Sequence, residues 1–142
     1  MEQTIKTAFA NTFVMYFKAH VAHWNVEGIL FGQFHDFFQE MYEDIYGAID
    51  PFAEEIRKLN FYAPHTMDNL YSFKNIAEDP SVKSVATELL ADLESSNSQV
   101  IESLNILFNE AEAANEQGLA DFVAGRLDSH KKHGWMLRSY LK

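Results

Sequence analysis

Residues 23–54 read HWNVEGILFGQFHDFFQEMYEDIYGAIDPFAE. Two histidines, His23 and His35, stand on either side of a glycine-containing break. The carboxylates Asp50 and Glu54 lie near the end of the helical pattern that follows. Imidazole and carboxylate are donor types that suit iron. Residues four apart on a helix share a face, about 6 Å apart along the axis, so Asp50 and Glu54 can hold one cation together. His35 lies about 60° from Asp50 around that helix but roughly 22 Å away along it, so no single metal binds all three within one chain. His23 belongs to the preceding helix and meets His35 only if the break at Gly28 turns the chain back. The histidines therefore make one half-site and the carboxylates another. An antiparallel two-fold dimer would set His35 of one subunit beside Asp50 and Glu54 of its mate, twice per dimer.

Outward from this stretch the pattern is helical throughout. Residues 3–26 form a first predicted helix with Ile5, Phe9, Phe13, Tyr16, Phe17, His20 and Trp24 at three- and four-residue steps. Gly28 and Gly32 bracket a turn. A second helix over 33–59 carries the apolar stripe Phe34, Phe37, Phe38, Met41, Ile45, Ala48 and Phe52. Pro51 conflicts with it, because its ring clashes with the Gly47 carbonyl and one hydrogen bond is lost, which predicts a kink at 47–51.

The connection 60–80 holds Pro64 and Pro80, and Thr66 is placed to cap a short helix through about residue 75. Its length predicts a crossover along the bundle rather than a tight turn. A third long helix over 81–113, with Ser81 as cap, and a fourth over 118–141 complete an all-α four-helix bundle, one domain spanning 1–142. The fourth carries Leu119, Phe122, Val123, Leu127, Trp135, Leu137 and Leu141.

Composition narrows the function classes. Twelve Phe and six Tyr within 47% hydrophobic residues exclude a disordered chain. The absence of cysteine removes disulfides and thiolate metal sites. No stretch approaches membrane-spanning length and no leader-like segment opens the chain, so the expected location is cytoplasmic. The net charge of −10 opposes DNA binding, which depends on Lys and Arg neutralising phosphates, and suits attraction of cations. No Glu stands three residues before any of the six histidines, so the Glu-x-x-His di-iron site inside a single bundle is not expected.

The string H-W-N-V-x-G-x-x-F, the second histidine twelve positions after the first, and D-x-x-A-E resemble the Dps family, the mini-ferritins. The C-terminal H-G-W-M-L-R-S-Y-L is similar to that family's last helix. The resemblance covers most of the chain and implies a ferritin-like bundle with a short extra helix in the crossover between helices 2 and 3. It implies iron ligands at His23, His35, Asp50 and Glu54 across a two-fold interface, with a di-iron or mono-iron ferroxidase site. It further implies a dodecameric shell that oxidises ferrous iron with hydrogen peroxide and stores the oxide. By the same resemblance, Trp24 takes up oxidising equivalents and Asp121 belongs to an acidic iron-entry pore, with Glu112 and Glu116 less securely aligned.

Each residue has a plainer role beside this one. Trp24 is expected to pack in the core whatever else it does. His20 reads as core or interface, and His65, His130 and His133 as surface or interface. Asp121 could be a helix N-terminal charge. Glu40, Glu43 and Asp44 fit a mineral-nucleating cavity wall or a solvated face equally well. The rival function is DNA compaction, but the first eight residues hold one Lys against one Glu, and only Lys131, Lys132, Arg138 and Lys142 gather near the end. A shell without the chemistry is the third reading. Pro51, and Glu55 where the family pattern has Arg, are departures beside the proposed ligands.

Overall fold

The computed structural model describes residues 1–142 and is all-helical. In chain order the helices are α1 (Glu2–Asn25), α2 (Phe31–Lys58), α3 (Met67–Phe73), α4 (Ala86–Ala113) and α5 (Gln117–Leu141). The four long helices form the bundle and α3 lies in the crossover between α2 and α4. α1 packs against α2, α3 and α4, and α4 packs against α5, whereas α2 and α5 touch much less. No helix is long and apolar enough to cross a membrane.

The expected stripe of α2 is buried from Phe34 to Phe52 and continues to Ile56. It meets Ile5, Phe9 and Met15 of α1 and Leu90, Leu93, Leu104 and Leu107 of α4 in one continuous core. The aromatic face of α1 behaves differently along its length. Ile5 and Phe9 are buried, but Phe17 and Trp24 emerge on the surface, edge to face with ring centroids 6.4 Å apart. Trp135 and Leu141 of α5 are likewise exposed. Helical periodicity shows which residues share a face, but not where along the helix that face ceases to be covered.

The turns follow from local chemistry. Gly28 adopts φ +124° between α1 and α2, a conformation that L side chains rarely reach. Asn60 and Asn115 take left-handed conformations after α2 and α4. Phe61 N–H then reaches Ile56 O at 3.3 Å and Glu116 N–H reaches Ala111 O at 2.9 Å, which satisfies carbonyls the helix ends would leave open. Pro51 and Gly47, whose carbonyl loses its partner, are both exposed in a helix that continues through them. Water can replace the lost hydrogen bond there, so the proline does not end α2.

The third long helix begins later than expected, at Ala86, and Ser81 does not cap it. Instead the Ser81 backbone N–H and hydroxyl both donate to Asp79 Oδ1, at 2.9 and 2.7 Å, and Lys83 holds the other oxygen at 2.6 Å. Glu27 N–H donates to Ser84 O at 2.9 Å and keeps this segment extended beside the α1–α2 turn. Such local side-chain bonding competes with helix initiation. Thr66 does cap α3, accepting from Asn69 N–H at 3.0 Å. With only seven residues, α3 depends on that cap. Thr66→Ala is expected to cost about 1 kcal/mol locally. Faster amide exchange confined to 67–73 is the result that hydrogen-exchange measurement should give, and unchanged protection there would refute the cap's role.

Candidate metal centre

The turn at Gly28 brings the end of α1 back onto the start of α2 and sets His23 against His35. Their rings stack with centroids 3.6 Å apart and planes 18° from parallel. Each Nδ1 donates to the other residue's backbone carbonyl, both at 2.7 Å. A carbonyl can only accept, so both neutral rings carry their proton on Nδ1 and keep a lone pair on Nε2. Fixing the tautomer through the second nitrogen is how imidazoles are commonly prepared for a metal. His23 is 7% exposed, and Phe31 stacks on His35 at 4.9 Å while Tyr42 meets His23 edge-on at 5.2 Å.

Asp50 and Glu54 lie further along α2, and both are exposed. Glu55 beside them is held by Lys58 at 2.7 Å. Within one chain no three His, Asp or Glu side chains come together as a metal cluster. The histidine pair and the carboxylate pair are therefore separate in the subunit.

Trp24 corrects an expectation. It is 54% exposed rather than packed in the core, and it lies on His20 with ring centroids 4.0 Å apart. His20 is sandwiched, since Tyr42 stacks on it at 3.8 Å and 9°. Burial lowers the His20 pKa, with His23 adding to the effect. Burial likewise raises that of Tyr16, and nearby Tyr46 and Tyr42 contribute. Asp121 is exposed within α5, past the first turn, which contains no acidic residue. The helix dipole is therefore a poor explanation for it. Glu40 and Glu43 are exposed, and Glu43 accepts from Gln39 at 2.9 Å. His65 is exposed as expected.

A buried polar network escaped the sequence reading. His130, expected at the surface or an interface, is 0% exposed. Asn97 Nδ2 donates to the His130 carbonyl at 2.8 Å, which turns its amide oxygen toward His130 Nδ1, also at 2.8 Å. His130 Nδ1 must then donate, leaving Nε2 free to accept from Arg126 at 3.3 Å. Arg126 also pairs with Asp44 at 3.1 Å, and His133 donates to the same carboxylate oxygen at 2.7 Å. Asp44 is thus neither a free cavity carboxylate nor solvated in isolation; it ties α2 to α5 where those helices otherwise touch little. The His133 bond, with help from Arg126, holds its carboxyl well below the usual range. Burial, reinforced by the Arg126 charge, holds His130 well below 6.5. Arg126 and His130 share the spacing of Leu119, Val123 and Leu137. That was the available signal, masked because Arg and His read as polar.

The ferritin-like domain family matches residues 2–142. A low temperature-induced protein of Nostoc sp. is 29% identical over 134 residues, 94% of this chain and 75% of that one. The DNA protection during starvation protein of Brevibacillus brevis is 29% identical over 133 residues, 94% and 89% of the two chains. A Dps crystal structure from Vibrio cholerae superposes with a TM-score of 0.94 at 23% identity, covering 99% of this chain and 88% of that one. With the five-helix order and the crossover helix, these matches show that the chain belongs to the ferritin-like family, in its Dps branch.

Proposed function

We propose that this protein is a mini-ferritin that oxidises Fe²⁺ to Fe³⁺ with hydrogen peroxide at sites shared by two subunits, and stores the ferric oxide in a hollow, dodecameric shell. The reciprocal His23–His35 pair carries this reading most directly: two imidazoles are oriented, with Nε2 free, on a chain that has no third ligand nearby. Asp50 and Glu54 of a second subunit would complete the set, with Glu54 bridging. Two imidazoles and two carboxylates suit Fe²⁺, and no thiolate competes. The Vibrio cholerae neighbour is described as a member of a broad superfamily of ferritin-like diiron-carboxylate proteins, which agrees with iron as the substrate.

The chain contributes geometry and charge. The Nδ1–carbonyl bonds keep both rings from rotating, so the lone pairs do not have to be reoriented when iron arrives. The excess of 21 acidic over 11 basic residues draws cations toward the shell. Exposed Phe31, which stacks on His35, and exposed Trp24, next to His23 in the chain, give a partner subunit apolar surface to cover.

The Brevibacillus relative is named for DNA protection. Here the charge balance disfavours coating DNA, and removal of iron and peroxide is the route to protection that the side chains support. Anaerobic Fe²⁺ loading followed by peroxide, monitored by absorbance, tests the reading. Wild type is expected to oxidise and retain iron rapidly, and His35→Ala/Glu54→Ala to lose that activity. Equal, slow oxidation in both would overturn it.

A further inference from the structure

Between α2 and α5 lies a cleft of about 250 Å³, with Phe37 and Met41 of α2 facing Met136 of α5. Asp44 and His133 also line it, and they bridge it at 2.7 Å. Arg126 reinforces the bridge, because its Nη2 donates both to Asp44 Oδ2, at 3.1 Å, and to His130 Nε2, at 3.3 Å. Asp44 stands on α2 between His35 and Asp50, so this contact holds the helix that carries parts of both half-sites. The joint requires a neutral His130. Its Nδ1 is already occupied in donating to Asn97 Oδ1, which leaves Nε2 as the acceptor for the guanidinium. A proton on Nε2 would turn N–H against N–H and set two cations 3.3 Å apart in the interior. Arg126 has little room to adjust, since its Nε is already buried without a partner. The groups that face His130 are Arg126 and His133 of its own helix, Asp44 of α2 and the neutral Asn97 amide of α4. A proton on His133 has the opposite sense, because it would strengthen the bond to Asp44.

We propose that Asp44, Arg126, His130 and His133 form an acid-released latch: a proton on His130 displaces Arg126 and parts α2 from α5 along the Phe37–Met41–Met136 cleft, while the rest of the bundle stays folded. The separation is local because α5 packs chiefly on α4, and α2 on α1, so the cleft can open without breaking either pair. Proton linkage sets the size of the effect. Burial, with the Arg126 charge, holds His130 well below its ordinary pKa when the latch is closed. In the open cleft the imidazole returns to about 6.5. The closed form is therefore fully favoured above that value and loses ground as pH falls below it. One proton taken up there multiplies the opening equilibrium by about 30-fold between pH 7.5 and pH 5.

The chain has no cysteine, so Met41→Cys places a single thiol in the cleft wall, where Met41 is 1% exposed. Its rate of reaction with dipyridyl disulfide on the assembled protein, divided by the rate for N-acetylcysteine at the same pH, reads the open fraction. That ratio is expected to rise about 30-fold from pH 7.5 to pH 5, and no rise would refute the latch. Leu104→Cys, in the buried face of α4, should react far more slowly at both pH values. Equal rates at the two positions would mean that only whole-chain unfolding exposes the cleft, which would also overturn the proposal. Adding His130→Gln to Met41→Cys should abolish the rise, because an amide offers a donor and an acceptor but takes up no proton; an undiminished rise would refute the role of His130. If that chain fails to assemble, Asp44→Asn decides. It removes the anion from the joint and should make Met41→Cys react rapidly already at pH 7.5, and unchanged slow labelling there would overturn the inference.

Discussion

Co-assembling His23→Ala/His35→Ala chains with Asp50→Ala/Glu54→Ala chains is expected to restore about a quarter of the wild-type iron oxidation, although neither variant works alone. Each variant by itself should lose more than about 100-fold, since even groups that only support a ligand are worth 10–100-fold. The recovery follows from symmetry. In the proposed two-fold dimer each site takes histidines from one subunit and carboxylates from the other. A mixed dimer therefore has one complete site and one with neither pair, and random pairing makes half the dimers mixed. Peroxide-driven absorbance change on the co-expressed mixture measures it. A site contained in a single chain would give no recovery at all, and that result would overturn the inter-subunit arrangement.

The second large effect is on stability in acid. The fold holds His130 neutral, with its pKa well below 6.5, whereas the unfolded chain binds a proton near that value. Stability from this group is therefore complete above 6.5 and falls as pH drops below it, by up to about 1.4 kcal/mol per pH unit. Asp44 acts in the same direction at lower pH. Its depressed pKa stabilises the fold above the usual carboxylate range, and this is lost as pH falls through the folded value. Urea midpoints at pH 7.5 and 5 should show a marked acid loss in wild type and a much smaller one in His130→Gln. Identical pH dependence in the two would refute the assignment to His130. Asp44→Ala removes the anion beside the buried guanidinium. Because the Asp44 side chain is 37% exposed, the cost should fall below that of a fully buried pair, at about 2 kcal/mol near neutral pH.

Five features of the chain could be read before any tertiary information: the all-helical class, the α2 stripe, the glycine turn, the Thr66 cap and the separation of the His23–His35 pair from Asp50 and Glu54. Each depends on the 3.6-residue period, on spacing, or on one residue's backbone preference, and those are local properties. The register of α4 was not legible because the Asp79–Ser81–Lys83 bonds and the Glu27–Ser84 contact outcompete a cap at Ser81. Nor was the exposure of Trp24, because an aromatic stripe looks the same whether it faces its own core or a neighbour. His130, Arg126 and Asp44 show the same limit from the other side. A polar residue is placed in the interior only when partners from other helices satisfy it, and Asn97 and Asp44 lie 33 and 82 residues from theirs. The sequence alone determined the helices, their faces and the candidate ligands; only the tertiary structure decided which faces are covered, which charges are paired and that the two histidines hold each other's rings, because those depend on groups that packing brings together across the chain.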